Sequence, residues 1–242
     1  MRLTIEFTFD KGGIEFPIHY NYYIQSFLYA HISPRLGRFL HDRGYTLGKR
    51  KFKMFTFSRL NGRHKINKGR IRFYPPVYLT ISSPLDRFVS ELGSTLLRKD
   101  DLELVKNKIY VESIRVHPEP DITDEIKIRM LSPAVVYSTL FTKDGRKKTY
   151  YYSPDENEFV ELVDKNLRKK YEAFYGKKPV ARKLQVETLV KPREHIITYR
   201  GTVIRGYMGK LRLNGNKKLL KLAYDSGIGS KNSQGFGMFE VI

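Results

Sequence analysis

The sequence contains no cysteine, which excludes disulfide bonds, thiolate metal sites and cysteine nucleophiles. It also lacks any run of about 18 apolar residues that could span a membrane, and no basic amphipathic anchor stands alone at a terminus. The opening residues MRLTIEFTF alternate apolar and polar side chains, a pattern typical of a strand and not of a signal peptide. We therefore expect a cytoplasmic protein that does not act at a membrane.

Acidic residues are scarce, with 25 Asp and Glu against 45 Lys and Arg, so the formal net charge is +20. Such an excess favours a polyanionic partner, and nucleic acid is the partner that we expect. Hydrophobic residues make up 40% of the 242 residues, which is enough for a packed core in one large domain or in two smaller ones.

The basic residues are concentrated between Arg35 and Arg72, where thirteen Lys and Arg accompany a single acid, Asp42. Interleaved aromatic rings could stack on unpaired bases, although Phe55 and Phe57 fit buried strand positions better. A second cluster comprises Lys143, Arg146, Lys147 and Lys148. It reads as a hairpin tip that either reaches a ligand or is simply a solvated turn.

Hydrophobic periodicity predicts strands and helices in the order β, helices, β, β, α, β, and this order then repeats loosely. A break at HPEPDITD separates the two halves. We predict an α+β protein made of two tandem ferredoxin-like (RRM-like) domains with antiparallel sheets, one over residues 1–117 and one over 123–242. The segment SPRLGRFLHDRG reads as a short helix with Ser33 as N-cap and Gly44 as its stop.

Two Gly-x-Gly pairs lie near the C-terminus, in YDSGIGSKNSQGFGMFEVI. The spacing fits neither a Walker A loop nor a dinucleotide fingerprint. Bare backbone here could expose N–H groups to phosphates or bases, or could let the loop pack tightly against the sheet. The residues leave both interpretations open.

The pattern G-x-G-x5-G-x-G followed by an apolar residue resembles the glycine-rich loop of the archaeal CRISPR repeat-processing endoribonucleases of the RAMP superfamily. YNYYIQSFLYAHI, FLH, FKMFTFS and MLSPAVVYS occur in the order expected for that family. The resemblance implies a metal-independent endoribonuclease, without cofactor, that binds CRISPR repeat RNA. It would cleave precursor transcripts by 2′-OH attack, leaving 2′,3′-cyclic phosphate and 5′-OH ends, while the loop supports the RNA-binding face and the packing between the domains.

The same resemblance implies that Tyr29, His41 and Lys53 are catalytic, with Lys49 and Lys51 as rivals of Lys53. His31 is a rival of His41, but it falls nearer the apolar face of its helix. We also predict RNA-binding residues within the basic clusters and the glycine-rich loop: Arg38, Lys49, Lys51, Arg59, Arg63, Lys147, Gly227, Gly229, Lys231, Asn232, Gly235 and Gly237. A cleft between the halves is the expected path of the RNA.

Two other functions remain open at this point. The chain could be a non-cleaving CRISPR repeat-RNA-binding subunit, or a general basic RNA-binding module. The expected partners are CRISPR repeat RNA and, beyond it, a CRISPR effector complex. The sequence leaves both a monomer and a homodimer open.

Overall fold

The computed structural model describes residues 1–10, 12–142, 144–180 and 182–242. Lys143 of the second basic cluster lies outside the described residues. The helices are α1 (Asn21–Ala30), α2 (Pro34–Arg38), α3 (Asp86–Arg98), α4 (Asn157–Tyr175) and α5 (Lys217–Ser226), with a π-helical turn at Phe39–Arg43 and a 3-10 turn at Asn232–Gln234. The strands are β1 (Arg2–Thr8), β2 (Ile14–Pro17), β3 (Tyr45–Leu47), β4 (Arg50–Phe52), β5 (Thr56–Phe57), β6 (His64–Asn67), β7 (Arg70–Phe73), β8 (Val77–Ser82), β9 (Leu102–Leu104), β10 (Asn107–Val116), β11 (Glu125–Met130), β12 (Tyr137–Phe141), β13 (Lys147–Tyr151), β14 (Gln185–Thr188), β15 (Arg193–Tyr199), β16 (Thr202–Met208), β17 (Lys210–Asn214) and β18 (Phe239–Val241).

The N-terminal half is built around a five-stranded antiparallel sheet in the order β5-β8-β1-β10-β9. Helix α1 lies between β1 and β5 in the chain, and α3 lies between β8 and β10. This is the βαββαβ order of a ferredoxin-like domain. Alternate residues of β1 such as Ile5 are fully buried, as expected for a strand with one face on a core.

The C-terminal half repeats the arrangement with the sheet order β14-β17-β11-β18. Helix α4 connects β11 to β14, and α5 connects β17 to β18. Both sheets therefore place the first strand of the unit between the third and the fourth. The prediction of two tandem ferredoxin-like domains is confirmed.

Each half has its own hydrophobic core. One core centres on β1, β8, α1 and α3, and the other on β11, β17, α4 and α5. Phe55 and Phe57 are each 1% exposed and belong to the first core, so their interpretation as core residues is confirmed. The boundaries 1–117 and 123–242 stay a prediction.

The chain from Ser33 to Gly44 forms the second helix predicted from the sequence. The Ser33 hydroxyl accepts a hydrogen bond from the Leu36 N–H at 3.4 Å, and Pro34 is the first helical residue. The helix does not keep one pitch, because at Phe39 it widens into the π-helical turn. That turn closes with the Gly44 N–H donating to the Phe39 carbonyl oxygen at 2.7 Å.

The described residues also form four smaller antiparallel sheets that sequence periodicity did not separate. One is three-stranded, in the order β2-β7-β6, and the others pair β3 with β4, β12 with β13, and β15 with β16. Within the described ranges, no helix is long and apolar enough to cross a membrane.

Arg2 joins the two domains. This β1 residue is 4% exposed, and its guanidinium donates to the carbonyl oxygens of Tyr224 and Phe239 at 2.7 and 2.8 Å. It also lies 3.5 Å from the centre of the Tyr224 ring, and burial lowers the pKa of Arg2 to about 10. The first strand of one domain is thus anchored to α5 and β18 of the other.

Candidate active site

Tyr29 and His41 meet at the wall of a cleft of about 500 Å³. Their rings contact edge to face with centroids 5.8 Å apart. Tyr29 comes from the last turn of α1, and His41 comes from the π-helical turn. We call this space the active-site cleft; it is lined by Tyr22, Gln25, Ser26, Tyr29, Pro34, Gly37, Arg38, His41, Asp42 and Arg200.

The imidazole of His41 is exposed and is oriented by its neighbour in the chain. His41 Nδ1 lies 2.8 Å from Asp42 Oδ1. This hydrogen bond holds the pKa of Asp42 below its usual value, so Asp42 is a carboxylate that can only accept. Nδ1 therefore carries the proton, and Nε2 of neutral His41 has a free lone pair. That is the tautomer needed in a general base.

Tyr29 is half-buried, with its ring edge against the buried ring of Phe55 at 5.7 Å between centroids. Burial raises the pKa of Tyr29, and the nearby Tyr199 and Asp42 raise it further. The phenol is therefore protonated at physiological pH. Tyr29 can donate a hydrogen bond or a proton, but it is not a phenolate base.

Lys53 reaches the same turn from the end of β4. Its ammonium donates to the carbonyl oxygen of His41, while Lys51 Nζ donates to the carbonyl oxygen of Asp42 at 2.8 Å. Burial, together with the charge of Lys51, lowers the pKa of Lys53. Lys49 instead lies in the exposed turn between β3 and β4. Of the three candidate lysines, Lys51 and Lys53 are the two beside His41.

His31 takes no part in this cluster. It is 8% exposed, and its Nδ1 bonds to the carbonyl oxygen of Phe27 at 2.8 Å at the end of α1. The structure therefore brings together Tyr29, His41 and Lys53 and leaves His31 in the core.

The other cations predicted to bind RNA are distributed over several surfaces. Arg38 lines the active-site cleft. Arg59 lies in a larger cleft of about 770 Å³ between the two sheets, the intersheet cleft, which also holds Arg2 and Arg129. Arg63 packs over the ring of Tyr74, and Lys147 lies at the exposed start of β13.

The basic stretch from Arg35 to Arg72 is therefore not one continuous patch. Arg70 and Arg72 both form ion pairs with Glu15, because β2 is paired with β7. The acid lies outside the stretch in sequence, which is why charge counting could not find it. Among the remaining cations, Arg38 lines the active-site cleft and Arg59 lines the intersheet cleft.

The glycine-rich loop, residues 227–237, is wedged between the domains. All four glycines are buried. The Asn21 amide donates to the carbonyl oxygen of Gln234 at 2.8 Å, and the Thr56 hydroxyl donates to that of Phe236 at 3.0 Å. Of the two interpretations of the loop, the structure displays tight packing. A role of Gly227, Gly229, Gly235 and Gly237 in RNA binding stays a prediction.

Lys231 and Asn232 occupy different positions in this loop. Lys231 is half-buried, and its ammonium lies 5.4 Å from the centre of the Tyr137 ring. Asn232 is 9% exposed, and its amide donates to the carbonyl oxygens of Ile228 and Phe236. Asn232 thus ties the two glycine pairs together, and Lys231 is the more accessible of the two side chains.

The sequence analysis did not identify Lys170, which forms hydrogen bonds with the glycine-rich loop. This α4 residue is 3% exposed and donates to the carbonyl oxygen of Gly227 at 2.7 Å and to Asn232 Oδ1 at 2.6 Å. Burial lowers the pKa of Lys170 to about 7. Nothing in NLRKKYE distinguishes it from its solvated neighbours except its place on the apolar face of the helix.

Tyr22 and Arg200 were also missed. Arg200 adopts a φ of 48° in the turn between β15 and β16 and lies over the ring of Tyr22, 5.4 Å from its centre. The adjoining Tyr199 donates to Gln25 of α1. A hairpin of the C-terminal domain thus completes a cleft that begins in the N-terminal domain. The Arg-Gly turn was the only local signal.

Within the described ranges, no group of three or more His, Asp or Glu side chains could hold a metal ion.

Two family models match the chain. "CRISPR-associated protein Cas6, N-terminal" matches residues 15–115, and "CRISPR associated protein Cas6, C-terminal" matches residues 117–241. The chain belongs to the Cas6 family. The resemblance read from the glycine-rich loop and the ordered segments is thereby confirmed.

Curated Cas6 proteins are similar to this chain over most of their length. CRISPR-associated endoribonuclease Cas6 1 of Methanocaldococcus jannaschii is 30% identical, with 98% of this chain and 91% of the relative covered. CRISPR-associated endoribonuclease Cas6 of Pyrococcus furiosus is 28% identical, with 100% of this chain and 90% of the relative covered.

Solved Cas6 structures share the fold. One described as "CRISPR associated protein Cas6" is 30% identical with a TM-score of 0.81, covering 100% of this chain and 99% of that one. A Cas6-related protein from Pyrococcus furiosus has a TM-score of 0.87 at 24% identity, covering 100% and 98%. Both comparisons support a Cas6 fold that extends over the two ferredoxin-like domains.

Proposed function

We propose that this Cas6 chain is a metal-independent endoribonuclease that binds CRISPR repeat RNA and cleaves precursor transcripts. The observation that carries the proposal is the cluster of His41, Lys53 and Tyr29 around one turn, with Asp42 fixing the tautomer of His41. The names of the curated Cas6 relatives support the class of reaction.

The reaction requires a base for the 2′-OH, a proton for the departing 5′ oxygen and positive charge near the crowded phosphorane. His41 Nε2 removes the 2′-OH proton, and the 2′ oxygen then attacks the adjacent phosphorus. The bond from phosphorus to the 5′ oxygen breaks, and the 5′ oxygen takes a proton from the Tyr29 phenol. Lys53 stabilises the negative charge on the phosphorane. The products are a 2′,3′-cyclic phosphate and a 5′-OH.

Cleavage of a repeat RNA in excess EDTA tests this proposal. We expect the EDTA-treated protein to cut the RNA at one position, and we expect no cutting when the scissile nucleotide is 2′-deoxy. Mass spectrometry of the upstream product should show a cyclic phosphate. Dependence on added Mg²⁺ would contradict metal independence. Tight, selective binding without any cutting would instead identify a non-cleaving repeat-RNA-binding subunit.

Charge reversal tests the RNA path. We expect Arg38→Glu and Lys51→Glu each to weaken RNA binding by about tenfold or more at low salt, because each replaces attraction to a phosphate with repulsion. Arg63→Glu should act similarly if the RNA continues toward the intersheet cleft. Fluorescence anisotropy at several salt concentrations measures the affinity and its salt slope.

Arg98→Glu, at the end of α3, is the matched control for these charge reversals. Arg98 lines neither the active-site cleft nor the intersheet cleft, so its reversal should change affinity little. If all four variants lose affinity equally, net charge and not a defined path governs binding. A CRISPR effector complex as partner, the oligomeric state and a cytoplasmic location stay predictions.

A further inference from the structure

A pocket of about 310 Å³ is lined by Lys53, which does not line the active-site cleft. It is formed by β4 with the residues that follow it, by α4 and by the glycine-rich loop, and we call it the loop pocket. Its cations are Arg50, Lys51, Lys53, Lys170 and Lys231. Among the described residues that line it, none is an aspartate or a glutamate. Such a one-sided lining attracts an anion.

Lys170 places a buried amino group in this pocket; burial lowers its pKa to about 7, and a bound anion would favour its charged form. Its ammonium donates only to neutral oxygens, namely the carbonyl oxygens of Ser226 and Gly227 and Asn232 Oδ1. In the part of the chain that the structure describes, no carboxylate pairs with it. A buried cation without a counter-ion is costly, and a phosphate bound in the pocket would reduce that cost.

Two amide side chains of the pocket also have unused hydrogen-bonding capacity. Asn166 is 7% exposed, and its Oδ1 has no hydrogen-bond partner among the described residues. Gln234 Oε1, on the glycine-rich loop, is also a buried atom without a hydrogen-bond partner among the described residues. Buried amides normally satisfy both their oxygen and their nitrogen. An unpartnered amide oxygen can accept a hydrogen bond from an N–H group of a nucleobase.

The position of the pocket relative to the reaction is set by Lys53. This side chain lines the loop pocket, and its ammonium contacts the carbonyl oxygen of His41. Tyr29 and His41 line the active-site cleft. Lys53 therefore links the two spaces, so a scissile phosphate at Lys53 lies beside both of them.

We propose that the loop pocket binds the single ribonucleotide that adjoins the cleaved bond. Its phosphate contacts Lys51 and Lys231, and an N–H group of its base donates to the unpartnered amide oxygens of Asn166 and Gln234. This inference rests on the proposed function for the position of the cut. It adds a nucleotide-binding site next to the cut, built by α4 and the glycine-rich loop.

The test is a binding measurement, so it does not depend on cleavage. The probe is a synthetic RNA with the CRISPR repeat sequence of the source genome and a 2′-deoxy scissile nucleotide. Each of the three nucleotides on either side of the cut is made abasic in turn. For the wild type, we expect loss of one base to weaken binding by about tenfold, the usual effect of one base contact.

Asn166→Leu retains most of the side-chain volume but removes the amide. We expect it to bind the intact RNA about tenfold more weakly and to lose nothing further when that one base is absent, since the two changes remove the same contact. Asn157→Leu, at the exposed start of the same helix, should retain the wild-type response. If the fold-loss of affinity caused by Asn166→Leu multiplies with the fold-loss at every abasic position, Asn166 contacts none of these bases and the proposed binding site is wrong.

Lys231→Met provides a second readout if Asn166→Leu folds poorly. A methylphosphonate at the linkage of the same nucleotide should weaken binding of the wild type and not weaken binding of Lys231→Met further. Independent, multiplying effects would overturn the phosphate contact. If a protein variant and an RNA modification remove the same contact but the protein does not cleave RNA, only the proposed function is wrong. If the protein cleaves RNA but the two losses of affinity multiply, only the proposed binding site is wrong.

Discussion

Replacing His41 with alanine should abolish most RNA cleavage while RNA binding persists. Loss of a positioned general base typically costs about 10²–10⁴-fold in rate, and we expect the single-turnover cleavage rate to fall within that range. The imidazole is exposed, with 73% of its side-chain surface accessible, so its removal should leave the fold and the affinity for uncleavable RNA close to those of the wild type. Single-turnover cleavage in EDTA, alongside anisotropy with 2′-deoxy RNA, separates the two quantities.

His19→Ala is the matched control for this experiment. His19 precedes α1 in the same domain and lines none of the active-site cleft, the intersheet cleft and the loop pocket. Its variant should cleave at the wild-type rate. A His41→Ala protein that cuts within about threefold of the wild type would show that another group removes the 2′-OH proton, since a lost base costs far more.

The second large effect that we expect is structural: Gly237→Ala should strongly lower the free energy of unfolding. Gly237 has a φ of 77°, and a Cβ there would lie 2.0 Å from the carbonyl oxygen of Ile228 and 2.6 Å from Asn232 Nδ2. The left-handed conformation costs a non-glycine residue about 1–3 kcal/mol, and overpacking costs about 1–3 kcal/mol more. Urea denaturation should therefore show a loss of about 2–6 kcal/mol.

Gly176→Ala separates these two causes. Gly176 caps α4 with a φ of 72°, and a Cβ there would meet no described atom within 4 Å. Its variant should lose only the conformational part. Equal losses at the two positions would mean that the loop yields to the added methyl group, and that the close approach of Gly237 to Ile228 does not stabilise the joint between the domains.

Most regular elements were predictable because their signals are local. The period of apolar residues predicted the helices of both halves, and Ser33 and Gly44 marked the two ends of the segment that follows α1. The β2–β7 pairing and the π-helical turn were not predictable in this way. A strand pairing depends on residues distant in sequence, and the helix pattern before Gly44 does not distinguish a pitch that widens at Phe39.

The residues of the candidate site also fall into those with a local sequence signal and those without one. Tyr29, His41 and Lys53 could be named through the resemblance to a family, because each lies in a short segment with a recognisable pattern. Arg200 and Lys170 could not be named. Lys170 contacts Asn232, which is 62 residues away, and Arg200 reaches Tyr22 across the joint of the two domains. Neither side chain has a sequence neighbourhood that signals its role.

The sequence by itself determined the repeated βαββαβ order, the cationic character of the chain and the absence of thiol chemistry, since these follow from composition and local periodicity. Only the tertiary structure decided which cations stay available: it pairs Arg70 and Arg72 with Glu15 and leaves Lys53 beside His41. It also decided that the glycine-rich loop packs between the domains. The physical reason is that charge pairing and close packing depend on distances in space, which are set when the two sheets and their helices assemble.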